Sequence, residues 1–247
     1  MHFLTVVATF FLLRFSVHNT GSLTPEKYFG DSYTQALDFC MVHRQIIEKE
    51  CNKYSIDPAM AMSVVFPELL RYERLHDLFE TSALELLYVQ AGKQAADFSI
   101  GRFQMKPSFA ETIEKTAAQT EIPQKPSFLS LLPPGTTFTE NTSTRQNRLD
   151  RLKTIEGQLQ YLSVFVQLVN RIFETDTITN VASQLVLLSS AYNRGINASY
   201  AQLMQLSSEK SFPYGKNQGC RFSYPDVSLY FYEHHAINIF KSSLSIH

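Results

Sequence analysis

Apolar positions recur at three- and four-residue steps through most of the chain, and no sustained alternation interrupts them, so the pattern predicts helices and no strands. In residues 31–54, Tyr33, Leu37, Cys40, Ile47, Cys51 and Tyr54 form one stripe broken by Arg44, as in a single amphipathic helix. Residues 56–68 are apolar nearly all round. Asp57 caps the start and Pro58 takes the first helical position, which predicts a buried helix ending in Glu68. A third helix is expected over 75–90, with Leu84, Leu87 and Tyr88 on one side. Ser108 and Glu111 have the spacing of a capping box, opening another helix near Pro107. Residues 148–174 read as one long helix with Leu149, Leu152, Leu159, Leu162, Val166 and Val169 as its core stripe. The next helix starts at Thr179 or Asn180, runs through Leu185, Leu188 and Ala191, and stops at Gly195. A short helix over 199–206 and a last one from Pro225 to Phe240 complete the set, with residues 212–224 as a loop. Pro123, Pro126, Pro133, Pro134 and Gly135 mark 122–147 as a long Pro/Thr/Ser-rich loop, read as a flap beside a cleft. The fold class expected is all-α.

Composition adds little to that picture but removes some partners. A chain of 247 residues with 44% hydrophobic and 18% charged residues has material for a sizeable core. A formal charge of -1 provides no field for nucleic acid. Residues 3–13 form an apolar run too short for an ordinary membrane span. With a cleavage region in 16–22, residues 1–22 read as a secretory signal, either cleaved or kept as an anchor, ahead of a single domain over 23–247. The expected location is outside the inner membrane, in a periplasm or cell envelope. Cys40 and Cys51 lie about 16 Å apart along one helix, too far to bond each other; either could meet Cys220, or all three stay as thiols. No Cys/His spacing suggests zinc, and the adjacent His234 and His235 point apart on a helix. Arg145, Arg148 and Arg151 read as a solvated face.

One residue resists a purely structural reading. An ionised carboxylate at the end of a buried helix is costly unless paired, and its pKa rises, which is how a general acid is made at neutral pH. Glu68 is that carboxylate. On residue type alone, a glutamate reaching water at a helix end is the commoner outcome. Glu73, five residues on, is the alternative acid and points elsewhere on a continuing helix. Farther along, Ser99-Ile100-Gly101-Arg102-Phe103-Gln104-Met105-Lys106-Pro107 makes a tight turn that carries an amide, and Ala191-Tyr192-Asn193-Arg194-Gly195 ends a helix.

In that order, these three segments resemble the lytic transglycosylases of the lysozyme-like superfamily, in which a buried helix delivers a catalytic Glu, a Gly-Leu-Met-Gln-like segment follows and an Ala-Tyr-Asn-Ala-Gly-like segment closes the site. The resemblance spans roughly 56–195, with a weaker trace at Tyr224. It implies a lysozyme-like helical domain, here with an inserted helix at 75–90 forming one cleft wall. It further implies that Glu68 protonates the glycosidic oxygen of peptidoglycan and then, as a carboxylate, takes the proton of the muramic acid C6 hydroxyl, giving a 1,6-anhydro sugar without cofactor or metal. Gly101 would permit the turn, and Gln104 and Met105 would line the cleft, with Gln104 holding Glu68 or substrate. Tyr192 would bond Glu68 or the developing charge, Asn193 would bind sugar, and Tyr224 would stand at the cleft. Peptidoglycan glycan strands are the implied partner of a monomer, with an envelope protein complex as a second class.

Departures from the family pattern leave two other readings open. The family's Ser after the catalytic Glu is Leu69 here, Arg102 replaces an apolar residue, and Lys106 and Arg194 add charge around the cleft. A goose-type-like lysozyme would use Asp97 to position water. A secreted glycan-binding domain would keep the cleft and lack the reaction.

Overall fold

The computed structural model describes residues 23–75, 81–122, 125–126, 129, 140–175, 178, 180–215 and 218–241. The 1–22 segment and most of 123–139 lie outside them, as do the signal-peptide reading and the greater part of the flap. Among the described residues the fold is all-α, with only two isolated bridges, Ile100 with Met105 and Phe212 with Phe222. None of the helices described is long and apolar enough to cross a membrane.

The helices are α1 (Pro25–Phe29), α2 (Asp31–Val42), α3 (Arg44–Lys53), α4 (Pro58–Leu75), α5 (Thr81–Ala91), α6 (Pro107–Gln119), α7 (Thr142–Leu152), α8 (Ile155–Ile172), α9 (Val181–Arg194), α10 (Tyr200–Ser207), α11 (Tyr224–Phe231) and α12 (Ile237–Phe240). A π-helical turn, Tyr232–Ala236, joins the last two.

Helix α4 lies at the centre because nothing along its first three turns prefers water. Asp57 caps it by accepting the Ala59 N–H at 2.9 Å, and residues from Ala59 to Leu70 are buried. It packs against α2, α9 and α11. Phe66 stacks face to face on Phe231 with centroids 3.8 Å apart, and Tyr33 makes an edge contact with Phe66 at 5.0 Å. Helix α8 forms the second buried rod, capped by Thr154 on the Gly157 N–H at 3.1 Å.

Several expectations need correction. Helix α4 does not end at Glu68; it continues through Pro67 to Leu75, so the carboxylate sits mid-helix, one residue beyond a proline. The 31–54 helix is two, divided at His43, whose ring packs on Phe39 at 4.5 Å. The 148–174 helix is likewise two, with a break at Lys153–Thr154, and helix α7 begins at Thr142 inside the expected loop. Within that loop Ile122 and Leu129 are buried. The Ser108 capping box does not form. Lys106 is the N-cap, and Ser108 instead gives its N–H and hydroxyl to the Asp97 carboxylate at 3.0 and 2.8 Å. Helix α5 packs on α7 with Leu86 and Leu87 exposed, and does not line the cleft described below.

The three arginines are not a solvated face. Arg148 is fully buried and binds Glu114, Glu140 and the Tyr88 hydroxyl, with Glu111 at 3.5 Å. Arg151 reaches Glu114 at 3.3 Å, and Arg145 donates to the carbonyls of Val89 and Gln90. Buried charges are tolerated only when matched in this way. The three cysteines are free thiols, Cys40 and Cys51 buried and Cys220 half-buried.

Candidate active site

A cavity of about 440 Å³ opens where α4, the 97–112 segment and the end of α9 meet. Glu68, Asp97, Gln104, Met105, Tyr192 and Asn193 all line it, so most of the site residues expected from sequence converge on one place. Gly101 and Tyr224, expected at the site, are not among the lining residues.

Glu68 is 5% exposed. Burial raises its pKa above the ordinary carboxylate value. The charge and hydrogen bond of Arg71, the nearby Tyr224 hydroxyl and the charge of Lys106 oppose that rise without cancelling it. Arg71 Nη1 stands 3.0 Å from Glu68 Oε1, and the guanidinium lies over the rings of Phe212 at 4.9 Å and Tyr224 at 5.8 Å. Arg71 was not singled out from sequence; its position three residues after Glu68 on one helix face was the available signal. The Tyr224 hydroxyl donates to the Val64 carbonyl at 3.0 Å, one turn before Glu68. Burial, followed by the Glu68 charge, lifts the phenols of Tyr192 and Tyr224 well above their ordinary value, so both remain protonated donors.

The glycine turn is held from two sides. Ile100 and Met105 exchange backbone hydrogen bonds at 2.9 and 3.1 Å, closing a four-residue loop. Gly101 has φ 65° and Gln104 φ 50°, both left-handed. At the tip, the Phe103 N–H donates to Gln158 Oε1 at 2.8 Å, and the Phe103 carbonyl accepts the Tyr192 hydroxyl at 2.8 Å. Tyr192 therefore does not bond Glu68. It ties α9 to the turn while its ring packs against Phe109 and Phe165. Of the two roles expected for Gln104, holding Glu68 is not seen: it donates its amide nitrogen to the Gly101 carbonyl at 3.0 Å, and its amide oxygen is the end left to meet a ligand. Gln158, on α8, was not anticipated, because nothing local in the sequence links it to a turn more than fifty residues earlier.

Positive charge dominates the cavity wall. Arg71, Lys106 and Arg194 line it, against the acids Glu68 and Asp97. Arg102 belongs elsewhere, over the rings of Tyr72 at 4.3 Å and Phe39 at 5.5 Å. Leu69 is buried in the core. Comparison of the chain with protein-family models, curated proteins and solved structures gives no match.

Proposed function

We propose that this protein is a peptidoglycan lytic transglycosylase that cleaves the bond between N-acetylmuramic acid and N-acetylglucosamine, with Glu68 as acid and then base. The observation carrying the reading is a buried carboxylate, its pKa raised by burial, in the wall of a cavity also formed by the glycine turn and the Tyr192–Asn193 segment. Glu68 gives its proton to the glycosidic oxygen as the C1–O bond breaks. Charge on the muramyl ring then develops beside the newly ionised carboxylate. The carboxylate takes the proton of the C6 hydroxyl, O6 bonds to C1, and no water is consumed. The Gln104 amide oxygen and the exposed Asn193 suit sugar hydroxyl and acetamido groups. Residues 1–22, read as an export signal, would bring the chain to its substrate in the envelope.

Asp97 is the residue on which a hydrolase would depend. It lines the same cavity, but both of its oxygens are engaged by Ser108 at the start of α6, which favours the lyase outcome. The test is digestion of purified peptidoglycan followed by mass analysis of the fragments. Anhydro ends, lighter by one water and lost in Glu68→Gln, are expected. Reducing ends would assign a hydrolase, and no release by folded wild-type protein would leave a glycan-binding domain.

A further inference from the structure

Arg71 occupies the solvent side of its ion pair. Its side chain is 27% exposed against 7% for Glu68, and among the described residues its one ion pair, through one nitrogen, is with Glu68. A guanidinium carries five donors in a planar fork matched to a carboxylate. The π faces of Phe212 and Tyr224 can hold the group in place while its donors exchange one carboxylate for another. Around it the wall is cationic, with Lys106 and Arg194, and the other lining acid, Asp97, is engaged by Ser108. An anionic group entering the cavity passes the exposed Lys106 and Arg194 and, at the depth of Glu68, meets Arg71.

Resting on the transglycosylase reading, we propose that a substrate carboxylate draws Arg71 away from Glu68, so that the enzyme protonates its acid in response to a carboxylate-bearing glycan strand. Arg71 is then a positioning residue that acts through Glu68 and selects strands with a free carboxylate on the muramyl lactyl group or on a stem peptide. The groups facing Glu68 are Arg71 on its own helix, Lys106 beside the turn, and the phenols of Tyr192 on α9 and Tyr224 on α11. Both phenols stay neutral, and Lys106 itself faces the incoming anion. Removing Arg71 from this set leaves burial less opposed, and the carboxyl holds its proton to higher pH.

The test compares pH profiles of kcat/KM, which report the free enzyme, with those of kcat, which report the complex. Soluble glycan strands are used in three forms: with intact stem peptides, with the peptides removed to leave lactyl carboxylates, and with all carboxyl groups amidated. For wild type on a carboxylate strand, the basic limb of kcat should lie above that of kcat/KM by about one pH unit, a tenfold change in protonated fraction. Whichever carboxylate form shows the gap identifies the source. On amidated strands the two limbs should coincide, and in Arg71→Gln they should coincide on every strand. Coincident limbs for wild type on both carboxylate strands, or a gap that survives amidation, would overturn the proposal while leaving the transglycosylase reading intact. Absence of anhydro product from every strand, with the protein folded, would overturn that reading and this proposal with it. The wild-type arms decide even if Arg71→Gln does not fold.

Discussion

Gly101→Ala tests how the glycine turn is held, whatever the chemistry of the cleft. Gly101 has φ 65°, and a Cβ there would lie 2.6 Å from Gln158 Cδ and 2.9 Å from Gln158 Oε1, closer still to Nε2. Gln158 is itself buried and holds the Phe103 N–H, so it cannot yield without breaking that bond. An alanine in left-handed backbone costs about 1 kcal/mol, and a buried N–H left unpaired costs about 1–3 kcal/mol. Residual crowding adds about 1 kcal/mol, giving about 4 kcal/mol in all. Gln158→Ala alone loses only the hydrogen bond, about 2 kcal/mol. In the double variant the crowding is gone and the bond is lost once, so the cost is about 3 kcal/mol against an additive sum of about 6. Urea unfolding of the four proteins with a common m-value measures the coupling. Additivity within about 0.5 kcal/mol would refute the contact between Gly101 and Gln158 as the reason for glycine.

Two further outcomes follow from buried charge. Because the folded-state pKa of Glu68 is raised, the native protein binds more protons than the unfolded chain between the ordinary and the raised value. The carboxyl's contribution to stability is thus complete below the ordinary value and falls as pH rises through the folded one. Glu68→Gln should match wild type in urea unfolding near pH 4 and exceed it increasingly toward pH 8; a gap that narrows with pH would contradict the sign. Arg148→Met, which leaves Glu114 and Glu140 without their central partner, should cost about 3–5 kcal/mol. Arg148→Lys should not recover it, since one ammonium cannot replace the fork that spans Glu114, Glu140 and Tyr88; thermal unfolding shows both.

What could be read from the sequence was local. The Asp57 cap, the start of α9 at Thr179 or Asn180 with its stop at Gly195, and the short helix over 199–206 each depend on a few adjacent residues, and each is in place. The burial of Glu68 followed from an apolar lead-in. Breaks at His43 and at Lys153–Thr154 were hidden because the apolar stripe continues across them in period, and packing decides where the backbone bends. Helix α4 runs past the expected end at Glu68, through Pro67, because its burial against α2, α9 and α11 outweighs one missing hydrogen bond. Arg148 was misread for a related reason: a charge beside an apolar stripe looks exposed until partners distant in sequence, Glu114 and Tyr88, are brought to it. Gln158 belongs to the same class, since its role exists only once α8 lies beside the turn.

Buried carboxylates are not scarce in this protein, and comparing them separates acids enclosed by partners from one that faces a cavity. Glu114 is fully enclosed and held by Arg148, Arg151 and the Tyr161 hydroxyl, so an arriving ligand has no route to it. Glu111 is likewise tied to Lys93, Arg148 and the Tyr88 hydroxyl. Glu68 is buried nearly as deeply but lines a cavity, and among the described residues its one ion pair is with a guanidinium on the solvent side. Satisfying a buried acid from every direction offsets its desolvation and removes the acid from chemistry. Glu68 alone of the three faces a cavity, and that asymmetry, more than burial alone, is what makes it the candidate for the proposed proton donor.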